Sequence, residues 1–334
     1  MSDKDRPEPA DLAIVIVSTN EAHWLEHCLP TVFAKAGDAS LEVIVVDNSS
    51  TDGTRELVES RFPQAKVVSS PNRGFGYGNN RGLEQANARY LLLLNPDTEI
   101  IEGTFGELVR LLDERPHIGL AGVRQITGEG RLCLSIRRFP SVSRALSEAL
   151  FSERWPIRPA WSGERVLEEE PYEHETECDW TSGSFMVVRR EALLSAGLLD
   201  ERFFIYSEEP DLCLRIKRAG WQVYHLPQMT IVHHAQKGGI RPRMLAQDAL
   251  ARRQYAYKYF GRTYRALYLA ALKVGYLTRA AVSPVDRSDG AARREGARRA
   301  LRTVTGRAEP PFGAPPATAI DPALGAPHAH GRAS

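Results

Sequence analysis

The chain has 334 residues, of which 43% are hydrophobic and 25% are charged, and its formal net charge at pH 7 is +1. That composition is ordinary for a soluble globular protein of one large or two modest domains. The four cysteines lack a Cys-x-x-Cys spacing, which argues against a zinc site or a disulfide framework and fits a reducing cytosol. No apolar run approaches the ~20 residues of a membrane span, and residues 1–10, which we expect to be disordered, do not resemble a signal peptide.

Strands and helices alternate along the first third of the chain. Continuous aliphatic runs predict buried strands, and polar capping residues followed by helical spacing predict the helices between them. The repeated alternation predicts an α/β fold with a wound, mostly parallel central sheet flanked by helices. The predicted strands span residues 12–17, 41–46, 66–69, 90–94 and 118–123, and the predicted helices span residues 23–34, 55–61, 81–88 and 104–114.

The strand over residues 90–94, Tyr followed by four Leu, is expected to lie at the centre of the sheet. It ends at Asn95-Pro96, because proline cannot donate a ladder hydrogen bond. Asp97 then follows at the carboxyl end of the strand, where open α/β sheets bind ligands, and its carboxylate is suited to hold a divalent cation against nucleotide phosphates. The alternative is that Asp97 or Thr98 caps the element that follows.

Asp47 follows the second strand as Asp97 follows the fourth, so parallel strands place both carboxylates at one edge of the sheet. A glycine-rich segment, Asn72-Arg73-Gly74-Phe75-Gly76-Tyr77-Gly78-Asn79-Asn80, follows the third strand. Its bare backbone allows close approach to a ligand. It does not complete the dinucleotide fingerprint, because Asn79 occupies the last glycine position and the first strand does not precede it. We therefore do not favour a dehydrogenase.

Residues 127–177 show no strong periodicity and are predicted to be a mobile substrate loop or partly ordered cover. A turn then leads into a strand that ends near residue 190, and a short helix spans residues 191–196. The next helix, predicted to run from Glu209 to about residue 219, begins with the acids Glu208, Glu209 and Asp211. These acids either favour the helix dipole alone or include a general base, since a partly buried glutamate after Phe-Phe-Ile-Tyr has a raised pKa.

Strands are predicted over residues 221–226 and 231–234, the second ending in His233-His234. Neighbouring side chains on a strand point to opposite faces, so at most one of these histidines serves a site. Residues 235–307 contain 17 Lys and Arg but 4 Asp and Glu, which predicts an anionic contact: a membrane, a nucleic acid or a diphosphate-bearing substrate. Within this stretch, residues 241–282 are predicted to be a basic amphipathic helical region, at a membrane interface or packed on the domain, and residues 283–334 a mostly disordered tail.

Five segments, in this order and spacing, resemble family 2 glycosyltransferases of the GT-A fold, in particular the bacterial rhamnosyltransferase-like branch. The resemblance spans about residues 12–239. The segments are Val15-Ile16-Val17-Ser18-Thr19-Asn20-Glu21, Val45-Val46-Asp47-Asn48-Ser49-Ser50-Thr51-Asp52-Gly53-Thr54, Asn72-Arg73-Gly74-Phe75-Gly76, Asn95-Pro96-Asp97 and Phe203-Phe204-Ile205-Tyr206-Ser207-Glu208-Glu209-Pro210-Asp211-Leu212.

The resemblance implies roles for residues of both halves of one domain, residues 11–123 binding the nucleotide sugar and residues 124–240 binding the acceptor. Asp97 matches the last Asp of a DXD-type metal motif, and His233 falls where a histidine approaches the diphosphate. Mg²⁺ or Mn²⁺ is the implied cofactor. The implied nucleotide-sugar residues are Thr19, Glu21, Asp47, which bonds the base, Asn72, Arg73, Gly74, Asn95 and Asp97.

The resemblance implies that the floor of the acceptor site is formed by Trp180, Thr181 and Gly183, together with Asp211. The family's catalytic Glu-Asp pair is here Glu208-Glu209, so Glu209 becomes the expected base and Glu208 its support.

The resemblance implies an inverting, metal-dependent transferase that moves a sugar, with L-rhamnose from dTDP-rhamnose favoured, to a glycan or polyprenyl-diphosphate-linked acceptor. We expect a cytoplasmic protein peripheral to the membrane, without a nucleic-acid partner, and leave homo-oligomerisation open. The rival hypothesis is a catalytically silent nucleotide-sugar-binding subunit. A processive synthase is disfavoured, because a Gln-x-x-Arg-Trp segment is missing.

Overall fold

The structure is a computed structural model that describes residues 8–152, 159, 161–234, 241–282 and 289–313. The expectations for residues 1–7, 235–240, 283–288 and 314–334 lie outside the described residues. Within the described ranges, a central nine-stranded sheet is flanked by helices, and a basic helical region follows at the C-terminal end. The predicted α/β class and mostly parallel sheet are confirmed.

The central sheet has the strand order β3-β2-β1-β4-β10-β6-β11-β5, with β8 paired beside β11. Strands β3, β2, β1, β4, β6 and β11 point one way, and β10, β5 and β8 run opposite to them. Strands β7 and β9 form a separate two-stranded sheet. The strands are β1 Ala10–Ser18, β2 Leu41–Asp47, β3 Ala65–Ser69, β4 Ala88–Leu94, β5 Thr98–Glu102, β6 Ile118–Ile126, β7 Ile136–Arg137, β8 Thr176–Glu177, β9 Trp180–Thr181, β10 Phe185–Arg189 and β11 Gln222–His233.

Side chains alternate between the two faces of the buried strands, so the sheet has one apolar layer on each face. On β1, Leu12, Ile14 and Ile16 pack in one layer, and Ala13 and Val15 pack in the other. Helices α1, α2 and α4 cover the first face, and α3, α6 and α7 cover the second. The helices of the described ranges are α1 Ala22–Ala34, α2 Thr54–Arg61, α3 Phe75–Leu83, α4 Phe105–Asp113, α5 Val142–Ala149, α6 Arg190–Ala196, α7 Glu208–Arg218, α8 Pro242–Tyr259, α9 Arg262–Val282 and α10 Gly290–Val304.

Two local expectations about strands are corrected. Neither Asp97 nor Thr98 caps a helix, because Thr98 begins strand β5, which pairs antiparallel with β11. The two strands expected over residues 221–234 are one strand, β11, whose register with β6 shifts between Leu226 and Thr230. The proline at position 227 lies within that shift, where a missing ladder donor is tolerated.

Three helices differ from the sequence prediction. Helix α3 begins inside the glycine-rich segment, and α5 lies within the stretch expected to be irregular. Helix α10 lies in the tail that was expected to be mostly disordered. Small residues explain that packing: a Cβ on Gly296 would lie 2.4 Å from the side chain of Leu245 on α8, and Ala300 is fully buried.

The basic helical region expected over residues 241–282 consists of two helices, α8 and α9. Helix α8 packs on the domain through Ala251 and Tyr255, which contact Phe203. Helix α9 packs on α5 and α10 through Tyr268 and its neighbours. None of the helices in the described ranges combines the length and the apolarity that crossing a bilayer requires.

Gly74 has no room for a side chain, because rigid backbone atoms of Phe204 face the place that a Cβ would occupy. Its φ is +108°, and an added Cβ would lie 2.2 Å from the carbonyl oxygen of Phe204. That oxygen also accepts a 2.7 Å hydrogen bond from the N–H of Phe75. The start of α3 is therefore held directly against the backbone that precedes α7.

We predict that Gly74→Ala lowers the free energy of unfolding by about 2–5 kcal/mol, because left-handed strain and steric overlap add together. Gly53→Ala is the matched control, since Gly53 also has a positive φ, +81°, but open space around its Cβ position. That control should lose about 1–2 kcal/mol from strain alone. Urea denaturation measures both values, and equal losses would contradict the steric account.

Candidate active site

The carboxyl ends of β1, β2 and β4 form one edge of the sheet, and the predicted nucleotide-sugar residues gather there. Ser18 and Asp47 are in register on neighbouring strands. Asp47 is 9% exposed, and its Oδ1 accepts a 3.0 Å hydrogen bond from the N–H of Ser50. Asp97 follows β4 on the same edge and is 7% exposed. The structure therefore brings the two predicted carboxylates to a common rim.

Thr19 and Glu21 lie in the loop after β1, which is joined to the loop after β2. The residue between them, Asn20, has a positive φ of 56° and accepts a 2.7 Å hydrogen bond from the N–H of Thr51. The N–H of Ala22 donates to Asp52 at 2.9 Å. These bonds make the two loops one continuous wall.

Asn72, Arg73 and Gly74 extend this wall from the side of β3. The amide of Asn48 donates to Oδ1 of Asn72 at 3.2 Å, and the same oxygen accepts the N–H of Gly74 at 3.3 Å. The guanidinium of Arg73 is exposed and lies 5.3 Å from the ring centre of Tyr77. The exposed guanidinium of Arg73 gives this wall a cation that can bind an anion.

His233 and Asp97 face each other at the rim, with 3.4 Å between Nε2 and Oδ1. His234 points elsewhere: its ring stacks on Trp24, and its Nε2 lies 2.6 Å from Glu99. The expectation that the two histidines diverge is confirmed, and His233 is the one beside Asp97.

The groups near Asp97 suit a hard or borderline divalent cation. A carboxylate and an imidazole are ligands that Mn²⁺ accepts, and a carboxylate is a usual ligand of Mg²⁺. The half-buried Asn95 lies two residues before Asp97. Across the described ranges, His, Cys, Asp and Glu form no cluster of three or more that could hold a metal ion.

Strand β10 brings the predicted acceptor residues to the same rim. It runs antiparallel to β4, so its first residue, Phe185, pairs with Leu94, the last residue of β4. The N–H of Asn95 donates to the carbonyl of Ser184 at 3.0 Å. Gly183 therefore lies a short distance from the segment that carries Asp97.

Glu209 reaches this point from the first turn of α7. Its carboxylate accepts a hydrogen bond from the N–H of Gly183, and burial raises its pKa above the ordinary range. A Cβ on Gly183 would lie 2.9 Å from Oε1 of Glu209, so a residue without a side chain is needed there. The absence of a side chain at Gly183 leaves room for the Glu209 carboxylate against its backbone.

Glu208 is 2% exposed, and its Oε2 has no hydrogen-bond partner among the described residues. Burial, together with the negative charge of Glu209, raises its pKa well above the ordinary range. Two adjacent carboxylates oppose each other's ionisation, and the larger upward shift of pKa falls on Glu208. The preceding residues Tyr206 and Ser207 have positive φ values of 71° and 69°, a strained arrangement found at functional sites.

Two predicted acceptor residues are not available to a substrate. Asp211 is fully buried, and its carboxylate binds Arg215 at 2.9 Å together with Lys258 and the hydroxyl of Tyr259. Thr181 is also fully buried and is directed at Gly122, where a Cβ would lie 2.2 Å from its hydroxyl. Asp211 therefore fastens α7 to α8, and Thr181 packs in the core, which corrects both expectations.

Arg137 on β7 is a site residue that the sequence analysis missed. Its guanidinium lies 5.5 Å from the ring centre of Trp180, whose Nε1 donates to the carbonyl of Arg138 at 2.9 Å. The positive charge of Arg137 opposes the upward shift of the Glu209 pKa. In the sequence, this residue is visible only as part of the pair Arg137-Arg138, in a stretch without periodicity. Such a pair does not indicate which side chain or ligand it contacts.

The wound, mostly parallel sheet flanked by helices is a GT-A fold, the fold of a class of glycosyltransferases. Residues 13–193 match the family described as Glycosyl transferase family 2, and the chain belongs to that family.

Its relatives include N-acetylglucosaminyl-diphospho-decaprenol L-rhamnosyltransferase of Mycobacterium tuberculosis. That enzyme is 29% identical over 235 residues, which cover 67% of this chain and 76% of the relative. Rhamnosyltransferase WbbL of Escherichia coli is 25% identical over 231 residues, covering 66% of this chain and 83% of the relative. The predicted resemblance to the rhamnosyltransferase-like branch is confirmed.

Among solved structures, the mannosyltransferase PcManGT of Pyrobaculum calidifontis, in complex with GDP-Man and Mn²⁺, has a TM-score of 0.53 with this chain. The sequences are 16% identical, and the match covers 91% of each chain. GalNAc-T7 with UDP, GalNAc and Mn²⁺ has a TM-score of 0.55 at 15% identity, covering 80% of this chain and 52% of that one. Both likenesses support the shared fold.

We predict that Asp211→Asn lowers the free energy of unfolding by about 3–5 kcal/mol, because it leaves Arg215 and Lys258 without their buried counter-charge. Urea denaturation gives the value. Glu295→Gln removes an exposed pair with Arg299 on α10 and should leave the denaturation midpoint unchanged. If Asp211→Asn leaves the denaturation midpoint unchanged and raises the KM for the acceptor, then Asp211 contacts the substrate after all.

Proposed function

We propose that this protein is an inverting glycosyltransferase that moves a sugar from a nucleotide donor to a hydroxyl of a polyprenyl-diphosphate-linked glycan. The observation that carries the proposal is Glu209, a half-buried carboxylate held by Gly183 beside the segment that bears Asp97. L-Rhamnose from dTDP-rhamnose is the favoured donor, since two relatives are named as rhamnosyltransferases. One of these names specifies an N-acetylglucosaminyl-diphospho-decaprenol acceptor.

In this mechanism Glu209 is the general base. It takes the proton of the acceptor hydroxyl as that oxygen attacks the anomeric carbon on the face opposite the leaving nucleotide. The N–H of Gly183 orients the carboxylate, and the neutral Glu208 leaves the negative charge on Glu209. Trp180, with Arg137 over its ring, provides a flat apolar surface on which the acceptor sugar can pack.

The donor would lie along the wall formed by the loops after β1, β2 and β3. Asp47 would accept a hydrogen bond from the base, Thr19 and Glu21 would line the nucleotide pocket, and Arg73 would approach the diphosphate. Asp97 and His233 would hold Mg²⁺ or Mn²⁺. Such an ion, when bound, neutralises the negative charge of the leaving nucleoside diphosphate.

The glutamate pair favours one alternative, a catalytically silent nucleotide-sugar-binding subunit. Glu209 is one methylene longer than the aspartate of the family's Glu-Asp pair, which could misplace the base. Incubating the protein with dTDP-rhamnose, Mn²⁺ and a diphosphate-linked N-acetylglucosamine acceptor separates the two functions. Product formation supports the transferase, and donor binding without transfer supports the silent subunit.

We predict that Glu209→Gln lowers kcat at least about a hundredfold, because removing a general base costs 10²–10⁴-fold. Donor affinity should stay within about twofold, since the carboxylate faces the acceptor. The wild-type kcat should fall as the pH drops through the raised pKa of Glu209, at a pH above the ordinary glutamate range of about 4.3. Steady-state kinetics over pH 4–9 measure the kcat of the variant, its affinity for the donor and the pH dependence of the wild-type kcat.

Two further variants test this assignment of the base. Glu209→Asp retains a carboxylate and should keep measurable activity. Glu208→Gln mimics the neutral form of Glu208 and should retain most of the turnover. A larger loss in Glu208→Gln than in Glu209→Gln would make Glu208 the base.

We predict that Asp97→Asn abolishes transfer and removes Mn²⁺-dependent donor binding, because an amide lacks the ligand charge. The fold should survive, since Asp97 lies at the edge of the sheet; circular dichroism and donor titration with and without Mn²⁺ provide the measurements. His233→Gln should weaken the same binding less severely. Near-wild-type turnover in Asp97→Asn would remove this residue from the site.

A second part of the proposal is peripheral binding to the cytoplasmic membrane through a defined apolar face. Helices α5 and α9 run parallel, because the N–H of Val142 donates to the hydroxyl of Tyr264 near their starts and Thr278 donates to the carbonyl of Ala149 near their ends. Ala149 contacts α9 at Gly275. The exposed apolar side chains flank this seam and form what we call the α5–α9 face: Leu146, Leu150, Leu267, Val274 and Leu277.

These side chains fall on one side of the helix pair for a geometric reason. On α5, the exposed Leu146 and Leu150 each directly follow a residue that faces α9. On α9, the exposed side chains each directly precede a residue that faces α5: Leu267, Val274 and Leu277. In two parallel right-handed helices, those positions rotate to the same side of the seam. Helix α9 carries four basic residues, Arg262, Arg265, Lys273 and Arg279, and no acidic ones. An apolar face bordered by cations suits an anionic bilayer better than a second copy of the same helix.

We predict that Leu267→Asp combined with Leu277→Asp abolishes binding to phosphatidylglycerol vesicles, since the substitutions remove apolar area and add repulsive charge. Leu194→Asp is the matched control, because Leu194 on α6 is 73% exposed and outside the α5–α9 face. Wild-type binding should weaken with added salt, as screening shortens to about 8 Å at physiological ionic strength. Co-flotation measures binding, and equal loss in the control would reject the face.

A further inference from the structure

A cationic pocket of about 470 Å³ lies between the start of α8, the end of α10 and the chain that follows α10. Four arginines and one glutamate among its lining residues give it a strong positive charge. They are Arg243, Arg299, Arg302, Arg307 and Glu309. The catalytic proposal uses none of these residues.

The pocket is built by an ordered reversal of the chain. Helix α10 ends in a Schellman motif: Gly306 has a φ of 72°, its N–H donates to Thr303 at 2.9 Å, and the N–H of Arg307 donates to Arg302 at 2.8 Å. Residues 307–313 then return along the start of α8. Arg243 fastens this segment, donating from Nε and Nη2 to the carbonyl of Pro311 at 2.9 and 2.7 Å.

The charges of the pocket are unevenly compensated. Arg299 pairs with Glu295, and Arg243 binds a carbonyl. Arg302 and Arg307 are exposed, and neither forms an ion pair within the described ranges. The N-terminus of α8 adds the positive end of a helix dipole beside them. Clustered guanidinium groups repel one another, so an anion that binds between them relieves this repulsion.

A stack of side chains connects the pocket to the catalytic loop. The guanidinium of Arg243 lies 3.9 Å from the ring centre of Phe312, and that ring stacks on Phe204 with centres 4.5 Å apart and planes 5° from parallel. Phe204 precedes Glu209 by five residues. The stack thus links the pocket to the segment that leads into the first turn of α7, and the backbone of Phe204 also contacts Gly74 of the nucleotide wall.

We propose that this pocket binds the diphosphate of the lipid-linked acceptor, an inference that rests on the proposed transferase function. Guanidinium groups bind phosphate oxygens through paired hydrogen bonds, and the volume exceeds the needs of a single phosphate. Helix α10 also packs against α9, whose exposed side chains belong to the α5–α9 face. The pocket therefore belongs to the same helical region as the α5–α9 face that is proposed to meet the membrane.

Pyrophosphate binding to the full chain tests the pocket without any turnover. Calorimetric titration in EDTA keeps the metal-dependent donor site from contributing. The double variant Arg302→Gln/Arg307→Gln should bind pyrophosphate at least about tenfold more weakly than wild type. Arg293→Gln/Arg298→Gln removes the same charge from exposed positions of α10 outside the lining and should bind normally. If the wild type does not bind pyrophosphate, or if both double variants lose the same affinity for it, the proposed anion site is wrong.

Acceptor kinetics test the assignment to the acceptor diphosphate. In Arg302→Gln/Arg307→Gln, the KM of a diphosphate-linked acceptor should rise at least about tenfold with kcat within about twofold. The KM of the same sugar as an alkyl glycoside should not change. Lost binding to phosphatidylglycerol vesicles with unchanged acceptor KM would overturn the assignment in favour of a phospholipid headgroup. If no transfer occurs with any acceptor, the proposed function fails, and pyrophosphate titration still decides the pocket.

Discussion

The arrangement of this site depends on one reversed strand in an otherwise parallel region. Because β10 runs antiparallel between β4 and β6, the start of β10 meets the carboxyl end of β4. A parallel strand in that position would begin at the opposite edge, far from Asp97. The reversal places Gly183 within reach of both the Asp97 segment and the first turn of α7. The donor and acceptor halves thus share an edge through backbone hydrogen bonds, which do not depend on side-chain identity.

Much of this arrangement can be predicted from the sequence, because long aliphatic strands and a proline stop are strong local signals. The edge that holds Asp47 and Asp97 follows from those signals alone. Thr181 could not be assigned, since a single step along a strand decides whether a side chain faces the core or the cleft. The buried role of Asp211 depends on Lys258, 47 residues away in sequence. Helix α10 was missed because its Ala, Gly and Arg composition matches low-complexity sequence until tertiary packing is known.

The first turn of α7 combines features that oppose folding with features that support it. A buried glutamate, a half-buried glutamate and two left-handed residues cost free energy at the same place. The supporting contacts come from α8: Asp211 binds Lys258, and the side-chain amide of Gln247 donates to the carbonyl of Ile205. The basic helical region is therefore part of the scaffold that keeps the catalytic segment in place. The half-buried Arg252 of α8 pairs with Glu164 at 2.8 Å and so fastens α8 to the segment that follows α5.

The stack of Phe312 on Phe204 also has a consequence for the order in which the site forms during translation. The strands and loops that line the nucleotide wall are complete once residue 97 has been synthesised. The acceptor side gains its last contact only with residue 312, which follows residue 97 by 215 positions in the sequence. At ~5–20 residues per second, that interval is roughly 10–40 s of translation. A nascent chain would thus assemble its donor wall well before it closes its acceptor side.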